Sequence, residues 1–289
     1  MKSKTLLASL GLLLTALFWG LSYSAQSKAM ASLQPLVFVS LRYIIGSLTV
    51  LIPLLFLRKM PLKEEWIFGG LCGLFLAGGE ILQQFGLLYT EAGKTGFLTS
   101  LYVILIPLLG MLGGKKTKLI IWIAAILSVA GAFLLSYNPA EKAFGNKGDF
   151  LVLCCALFFA FQFMALAKFA PRLDALRLAF VQGLTVAVLS GISSLCAGEV
   201  WEVKRIMAGG IPLLYCGCIA VGIACTIQVA AQKYVPATAC SIILSMASIF
   251  AVAWGMLLLG EKYSLANLAG CGLILLGVIL VQLPEKKKS

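Results

Sequence analysis

Residues Trp66 to Tyr89 read WIFGGLCGLFLAGGEILQQFGLLY, and Glu80 is the only formal charge among them. A run this long and this apolar crosses a hydrocarbon core of about 30 Å as an α-helix rising about 1.5 Å per residue. The rest of the chain has the same character. Of 289 residues, 61% are hydrophobic and 12% charged, with a mean hydropathy of +1.02, whereas soluble domains carry about a quarter charged residues. The chain reads as an all-α integral membrane protein.

Runs of similar length predict ten transmembrane helices, at 5 to 25, 36 to 57, 66 to 89, 95 to 114, 119 to 137, 149 to 168, 175 to 197, 209 to 232, 236 to 259 and 264 to 283. The connections are short: Arg58 to Glu65, Lys115 to Lys118, and the Pro/Gly-containing Asn138 to Gly148. No loop has room for a soluble domain, so any function has to reside in the helices.

Charge bias sets the orientation. With the N-terminus inside, the inner segments carry 15 of the 23 Lys and Arg residues and the outer segments 7, Arg42 lying within the second span. Both termini are therefore expected in the cytoplasm. The same distribution accounts for the net charge of +12 without nucleic acid, which needs cations concentrated on one face. The nine cysteines fall on predicted spans, where free Cys behaves as a small buried hydrophobe. There is no His and no CxxC pair, so no metal site and no cofactor are expected, and Ser-His or Cys-His catalysis is excluded. Asp149 and Asp174, the only aspartates, sit at span ends, where a membrane-embedded aspartyl dyad could not form. The chain is not expected to be an enzyme.

Lys2, Lys4 and the following apolar stretch, with Ala29-Met30-Ala31 beyond, have the outline of a cleavable signal peptide. A repeat argues that this span is retained. Ala16 to Lys28 reads ALFWGLSYSAQSK, and 140 residues later Ala156 to Lys168 reads ALFFAFQFMALAK. At an offset of 145, Gln83 matches Gln228, Tyr89 matches Tyr234, Ser100 matches Ser245, and Gly110-Met111-Leu112 matches Gly255-Met256-Leu257. Residues 1–138 thus form a first five-helix repeat, 139–148 a connecting loop and 149–289 a second repeat. An odd number of spans per unit makes the second enter the membrane from the opposite side, giving inverted-topology repeats. Alternating access uses that symmetry, because two related halves can exchange conformations around a central site.

These features resemble a family. The ALFWG start, Leu41-Arg42-Tyr43, YTEAGKTGFLTSLYVILIPLL from Tyr89 to Leu109, and LLLGE from Leu257 to Glu261 are similar to EamA-type members of the drug/metabolite transporter superfamily. The resemblance covers nearly the whole chain. It implies a ten-helix fold in the bacterial inner membrane, with a central cavity lined mainly by helices 1, 3, 4, 6, 8 and 9. The second-half ending Gly260-Glu261 departs from Lys115-Lys116 at the matching place in the first half.

Candidate lining residues follow from helical spacing, since positions three or four apart share a face. The stripes are Trp19, Tyr23 and Gln26; Glu80, Gln83 or Gln84, and Leu87; Thr95, Thr99 and Tyr102; Phe159, Gln162 and Leu166; Cys225, Gln228 and Gln232; and Ser241, Ser245 and Ser248. From these, Trp19, Tyr23, Glu80, Gln83, Tyr102, Gln162, Gln228 and Ser245 are the candidate substrate-binding residues. Lipid penalises exposed amides, which favours an inward direction for Gln83 and Gln228. Plainer readings stand beside this one: Ser and Thr often bond a backbone carbonyl within membrane helices, and Trp19 or Tyr23 could serve packing or an interfacial belt.

Counted from the outer ends near Leu36 and Tyr89, Arg42 is six residues deep and Glu80 nine, a difference of about 5 Å at 1.5 Å per residue. The two are expected to meet as a buried ion pair. Alternatively, Glu80 changes protonation or partner between inward-open and outward-open states, coupling solute movement to a proton or contacting a cationic group directly. In a third reading it is an isolated, water-exposed carboxylate. The expected function is secondary-active transport of a small organic solute (metabolite, amino acid or drug-like), in the direction of export. A lipid or lipid-linked substrate flippase of the same fold is the alternative. Without a GxxxxGK[ST] loop, ATP is not the expected energy source. The partners are the solute, the bilayer and protons as candidate coupling ion, with room for a homodimer.

Overall fold

A computed structural model describes residues 2–89, 92–114, 116–136, 146–259 and 264–282. Thr90 and Glu91, Lys115, the connection 137–145, the Gly260-Glu261 ending and the last seven residues lie outside this set. Among the described residues the structure is helical, with no strand. The first three spans are continuous: α1 (Lys2–Met30), α2 (Pro35–Phe56) and α3 (Lys63–Gly86). The fourth is split into α4 (Ala92–Ser100) and α5 (Tyr102–Leu112), and the fifth is α6 (Leu119–Ser136). The sixth and seventh are α7 (Lys147–Phe169) and α8 (Ala175–Cys196). The eighth joins α9 (Val203–Leu214), a π-helical segment Tyr215–Cys225 and α10 (Thr226–Ala231). The ninth is split into α11 (Ala237–Leu244) and α12 (Met246–Leu259), and the tenth is α13 (Leu265–Gln282). Nine of these spans are long and apolar enough to cross a membrane, and Leu119–Leu135 is a shorter apolar tenth. Large apolar side chains such as Phe56, Leu112 and Ile211 are exposed on the outside of the bundle, the reverse of a soluble surface and suited to lipid.

Three spans expected to be continuous are interrupted. Ser100 Oγ donates to Phe97 O at 2.7 Å and Ser245 Oγ to Ile242 O at 2.6 Å, so each hydroxyl competes for a carbonyl of the preceding turn. The Leu101 amide tightens to the residue three back, Leu98 O at 3.3 Å, and the Ser245 amide is shared between Ser241 O at 3.1 Å and Ile242 O at 3.2 Å. The regular α-helical pattern is interrupted for one residue at Leu101 and at Ser245, both of which keep helical φ/ψ. In the eighth span Gly210 has φ +38°, a left-handed conformation open to Gly but strained for other residues, and the π-helical segment follows it. Cys196 is another departure, since it is exposed rather than buried.

Helix ends are capped by short-range chemistry. Asp149 N donates to Asn146 Oδ1 at 2.8 Å while Asn146 N donates to Asp149 Oδ2 at 3.3 Å, a reciprocal box that starts α7. Asp174 accepts Leu176 N at 2.9 Å and Arg177 N at 3.3 Å at the start of α8. Partial burial opposes ionisation of that carboxyl, but the two amides and nearby Lys59 hold it below the usual carboxylate range. A depressed carboxylate stabilises the fold at neutral pH, and that contribution is lost as pH falls through the carboxylate range. Helix α2, which carries Arg42, is fixed from elsewhere: Glu199, beyond α8, accepts Leu36 N at 3.2 Å and Val37 N at 2.8 Å.

Helix packing is reciprocal. Helix α3 lies against α7 and α8, while α1 and α2 lie against the π-helical segment; α2 pairs with α8, and α6 with α13. The last pair is close enough that a Cβ on Gly131 would come within 2.5 Å of Gly270 O. Asn267 Nδ2 ties the same pair by donating to Leu134 O and Leu135 O. Such contact of small residues is how helices associate where lipid removes the hydrophobic drive.

Candidate functional site

A cavity of about 120 Å³ lies among the helices. All nine residues singled out in the sequence are on its wall: Trp19, Tyr23, Arg42, Glu80, Gln83, Tyr102, Gln162, Gln228 and Ser245. They come from seven spans. Gln26, Thr99, Phe159, Cys225 and Ser248, from the same stripes, join them. Other members of those stripes do not reach the cavity. Gln84, fully buried, donates to Gln26 Oε1 at 3.4 Å, Gln232 donates to Phe163 O at 3.2 Å, and Ser241 donates to Thr238 O at 2.8 Å. Leu166 belongs to an apolar cluster with Cys72 and Val229, and Thr95 is buried off the wall. Of the two glutamines open to choice, Gln83 is the cavity residue.

The polar centre is built on α2 and α3. Arg42 Nη2 and Glu80 Oε2 form an ion pair with side chains 6% and 12% exposed, and Tyr43 O–H donates to Glu80 Oε1 at 2.9 Å. Both carboxylate oxygens are thus engaged. The guanidinium also lies over the Phe38 and Tyr43 rings, 5.2 and 5.4 Å from their centroids. Its Nε is buried without a partner. The resemblance implied a lining mainly from helices 1, 3, 4, 6, 8 and 9, and the second helix adds Arg42 and Tyr43 to it. Tyr43 went unassigned in the sequence because a tyrosine one residue from an arginine carries no face signal of its own.

Around this pair the wall is aromatic and amide-bearing. Gln83 Nε2 donates to Thr99 Oγ1 at 3.0 Å, and Gln162 Nε2 to Gln182 Oε1 at 3.2 Å. Tyr102 stacks on Phe163 with centroids 5.2 Å apart. Trp19 Nε1–H donates to Ala220 O at 2.9 Å, across to the π-helical segment, where backbone off the α-helical register is common at functional sites. Tyr23 is 46% exposed, the most open of the nine. Ser245 and Gln228 are buried wall residues on the ninth and eighth spans. Among the described residues there is no group of His, Cys, Asp and Glu that could hold a metal ion.

An all-helical membrane protein whose polar and aromatic side chains converge from seven spans on one cavity, around a buried ion pair, has the build of a solute carrier. The chain belongs to the EamA-like transporter family, whose profile matches residues 6–137 and again 146–283. An uncharacterized transporter of Archaeoglobus fulgidus is 30% identical over 282 residues, covering 97% of this chain and 87% of that protein. The uncharacterized transporter YwfM of Bacillus subtilis is 27% identical over 297 residues, covering 97% and 96%. A solved crystal structure superposes with a TM-score of 0.79 at 21% identity, over 95% of this chain and 96% of the other, which speaks for the fold. The protein is a multi-pass membrane transporter of this family.

Proposed function

We propose that the protein is a secondary-active exporter of a small organic solute, with its substrate site in the cavity and alternating access between two inverted five-helix repeats. The observation that carries this is the convergence of the nine polar, charged and aromatic side chains on one cavity. The repeats, 1–138 and 149–289 joined by 139–148, find support in three features. One family profile matches twice, Ser100 and Ser245 make the same hydroxyl bond to the third residue back, and helix pairs recur between halves, α3 on α7 mirroring the π-helical segment on α1. Both serines line the cavity.

Cavity size and charge narrow the solute. The formal charges of Arg42 and Glu80 cancel, which favours a solute of no net charge. At about 120 Å³ the cavity is below the roughly 300–1,000 Å³ of drug-sized pockets, so a metabolite of amino-acid size fits better than a drug or a lipid chain. Export, proton coupling and an inner-membrane location with cytoplasmic termini complete the reading. For orientation, an impermeant thiol reagent added to whole cells is expected to label a single Cys at Asn146 and not one at Thr117. The reverse pattern overturns the charge-based orientation.

A thermal-shift screen of purified protein against metabolites, with each hit followed into liposomes, tests the solute site, because a ligand of the native state raises apparent stability. Gln83→Leu and Gln228→Leu are each expected to weaken the response. The loss should be about 0.5–1.5 kcal/mol, or about 2- to 13-fold in affinity, with expression and folding near wild type. Gln83 also holds Thr99, so Gln228→Leu is the cleaner arm. Unchanged binding and transport in both variants would remove the cavity from the transport path.

A further inference from the structure

Trp19 and Phe159 occupy matching places in the two copies of the repeated segment, each three residues after its Ala16 or Ala156. Both line the cavity. They are held by different means. Trp19 has the directional bond to Ala220 O, whereas Phe159 has no polar atom and is held by shape alone. Its ring lies in a notch on α3, where a Cβ on Gly79 would come within 2.4 Å of ring carbon Cε1 and 2.5 Å of Cδ1. Gly79 is the residue before Glu80, so the notch and the carboxylate are adjacent on the same helix. Phe159 also packs on the cluster that holds Val39, Leu76 and Val186. Leu76 lines the cavity beside it, while Val39 and Val186 lie behind the wall, where an interior packed to crystal-like density does not yield to a ring. The direction left open to the ring is the cavity.

We propose that Phe159 is the adjustable wall of this cavity and that the Gly79 notch sets its width, making the pair the determinant of solute size. This rests on reading the cavity as the solute site. The magnitudes are large enough to matter. A cavity of about 150 Å³ holds a benzene, so a ring turned out of the notch takes up most of the 120 Å³ available. Solutes with bulky side groups lose their place first and the smallest last.

Collisional quenching of Trp19 tests this without a known solute. The probes are acrylamide and the larger succinimide, applied to full-length protein in which Trp66, Trp122, Trp201 and Trp254 are replaced by Phe, with folding followed by circular dichroism and gel filtration. Phe159→Ala removes roughly a benzene's volume, about doubling the cavity. It is expected to raise the quenching constant about twofold, more for succinimide than for acrylamide. Gly79→Ala is expected to lower it, and Gly79→Ala with Phe159→Ala to return it to at least the starting value. If Gly79→Ala alone does not fold and the double variant does, the clash with the ring is demonstrated directly. Quenching by both probes that is unchanged in Phe159→Ala overturns the proposal. Because no solute is involved, a failure of the transport reading leaves the quenching result intact, and persistent transport with unchanged quenching overturns only the role of Phe159.

Discussion

Arg42→Met is expected to lower the unfolding free energy by about 3–5 kcal/mol, because it leaves the Glu80 carboxylate buried without its cation. Glu80→Met should cost a similar amount, stranding the guanidinium and freeing the Tyr43 hydroxyl that now donates to the carboxylate. The double variant should recover much of either loss. Two apolar side chains of similar volume need no desolvation, and such replacements of buried pairs are often neutral or stabilising. Denaturant titrations in detergent across this four-member cycle give the interaction energy directly. Simple addition of the two single losses, or single losses of no more than the roughly 0.5 kcal/mol of a surface change, would show that water, not the partner, stabilises each charge.

That Arg42 and Glu80 lie within reach of each other was legible from counting, which left the ion pair as one of three readings. Six and nine residues of depth on consecutive helices place two long side chains within reach, since the rise of a helix is fixed. The lining was legible for the same reason. Trp19 with Tyr23, and Glu80 with Gln83, keep helical spacing on continuous helices, and all four reach the cavity. Where a span is broken the rule weakens. Thr95 lies before the break at Leu101 and falls off the wall, while Thr99 and Tyr102, next to the break, stay on it. Ser100 and Ser245 gave no warning as helix breakers, because most membrane serines bond a carbonyl without ending the helix. The π-helical segment YCGCIAVGIAC reads as an ordinary apolar run, so nothing in its composition marks the change in register. The Gly79 notch was hidden for a different reason. A glycine beside an aromatic from another helix is visible only once the two helices are in contact.

Glu80→Gln is expected to leave solute exchange down its own gradient in place while abolishing its acceleration by an imposed pH gradient. Glu80 lies on the cavity wall, 12% exposed, with Arg42 and Tyr43 on its two oxygens. The carboxylate is the ion-pair partner of the buried Arg42 guanidinium, and removing one partner of a buried pair is costly. Proton coupling through Glu80 would therefore require a rearrangement that rehydrates Arg42 or supplies it with another acceptor. A solute bearing such an acceptor, or the swing of the two halves, can provide this, and either links the proton to transport. Glutamine keeps the shape and one carbonyl oxygen, enough to accept from one of the two donors, but cannot take up a proton, so it separates the coupling role from most of the contact role. For one proton per solute, each pH unit across the membrane is worth about 1.4 kcal/mol, or about a tenfold solute ratio at steady state. In proteoliposomes with a labelled solute, wild-type protein should approach that ratio and Glu80→Gln should show no dependence on the gradient. A variant that still follows the pH gradient in full would assign coupling to another group and leave Glu80 with Arg42 as a structural pair.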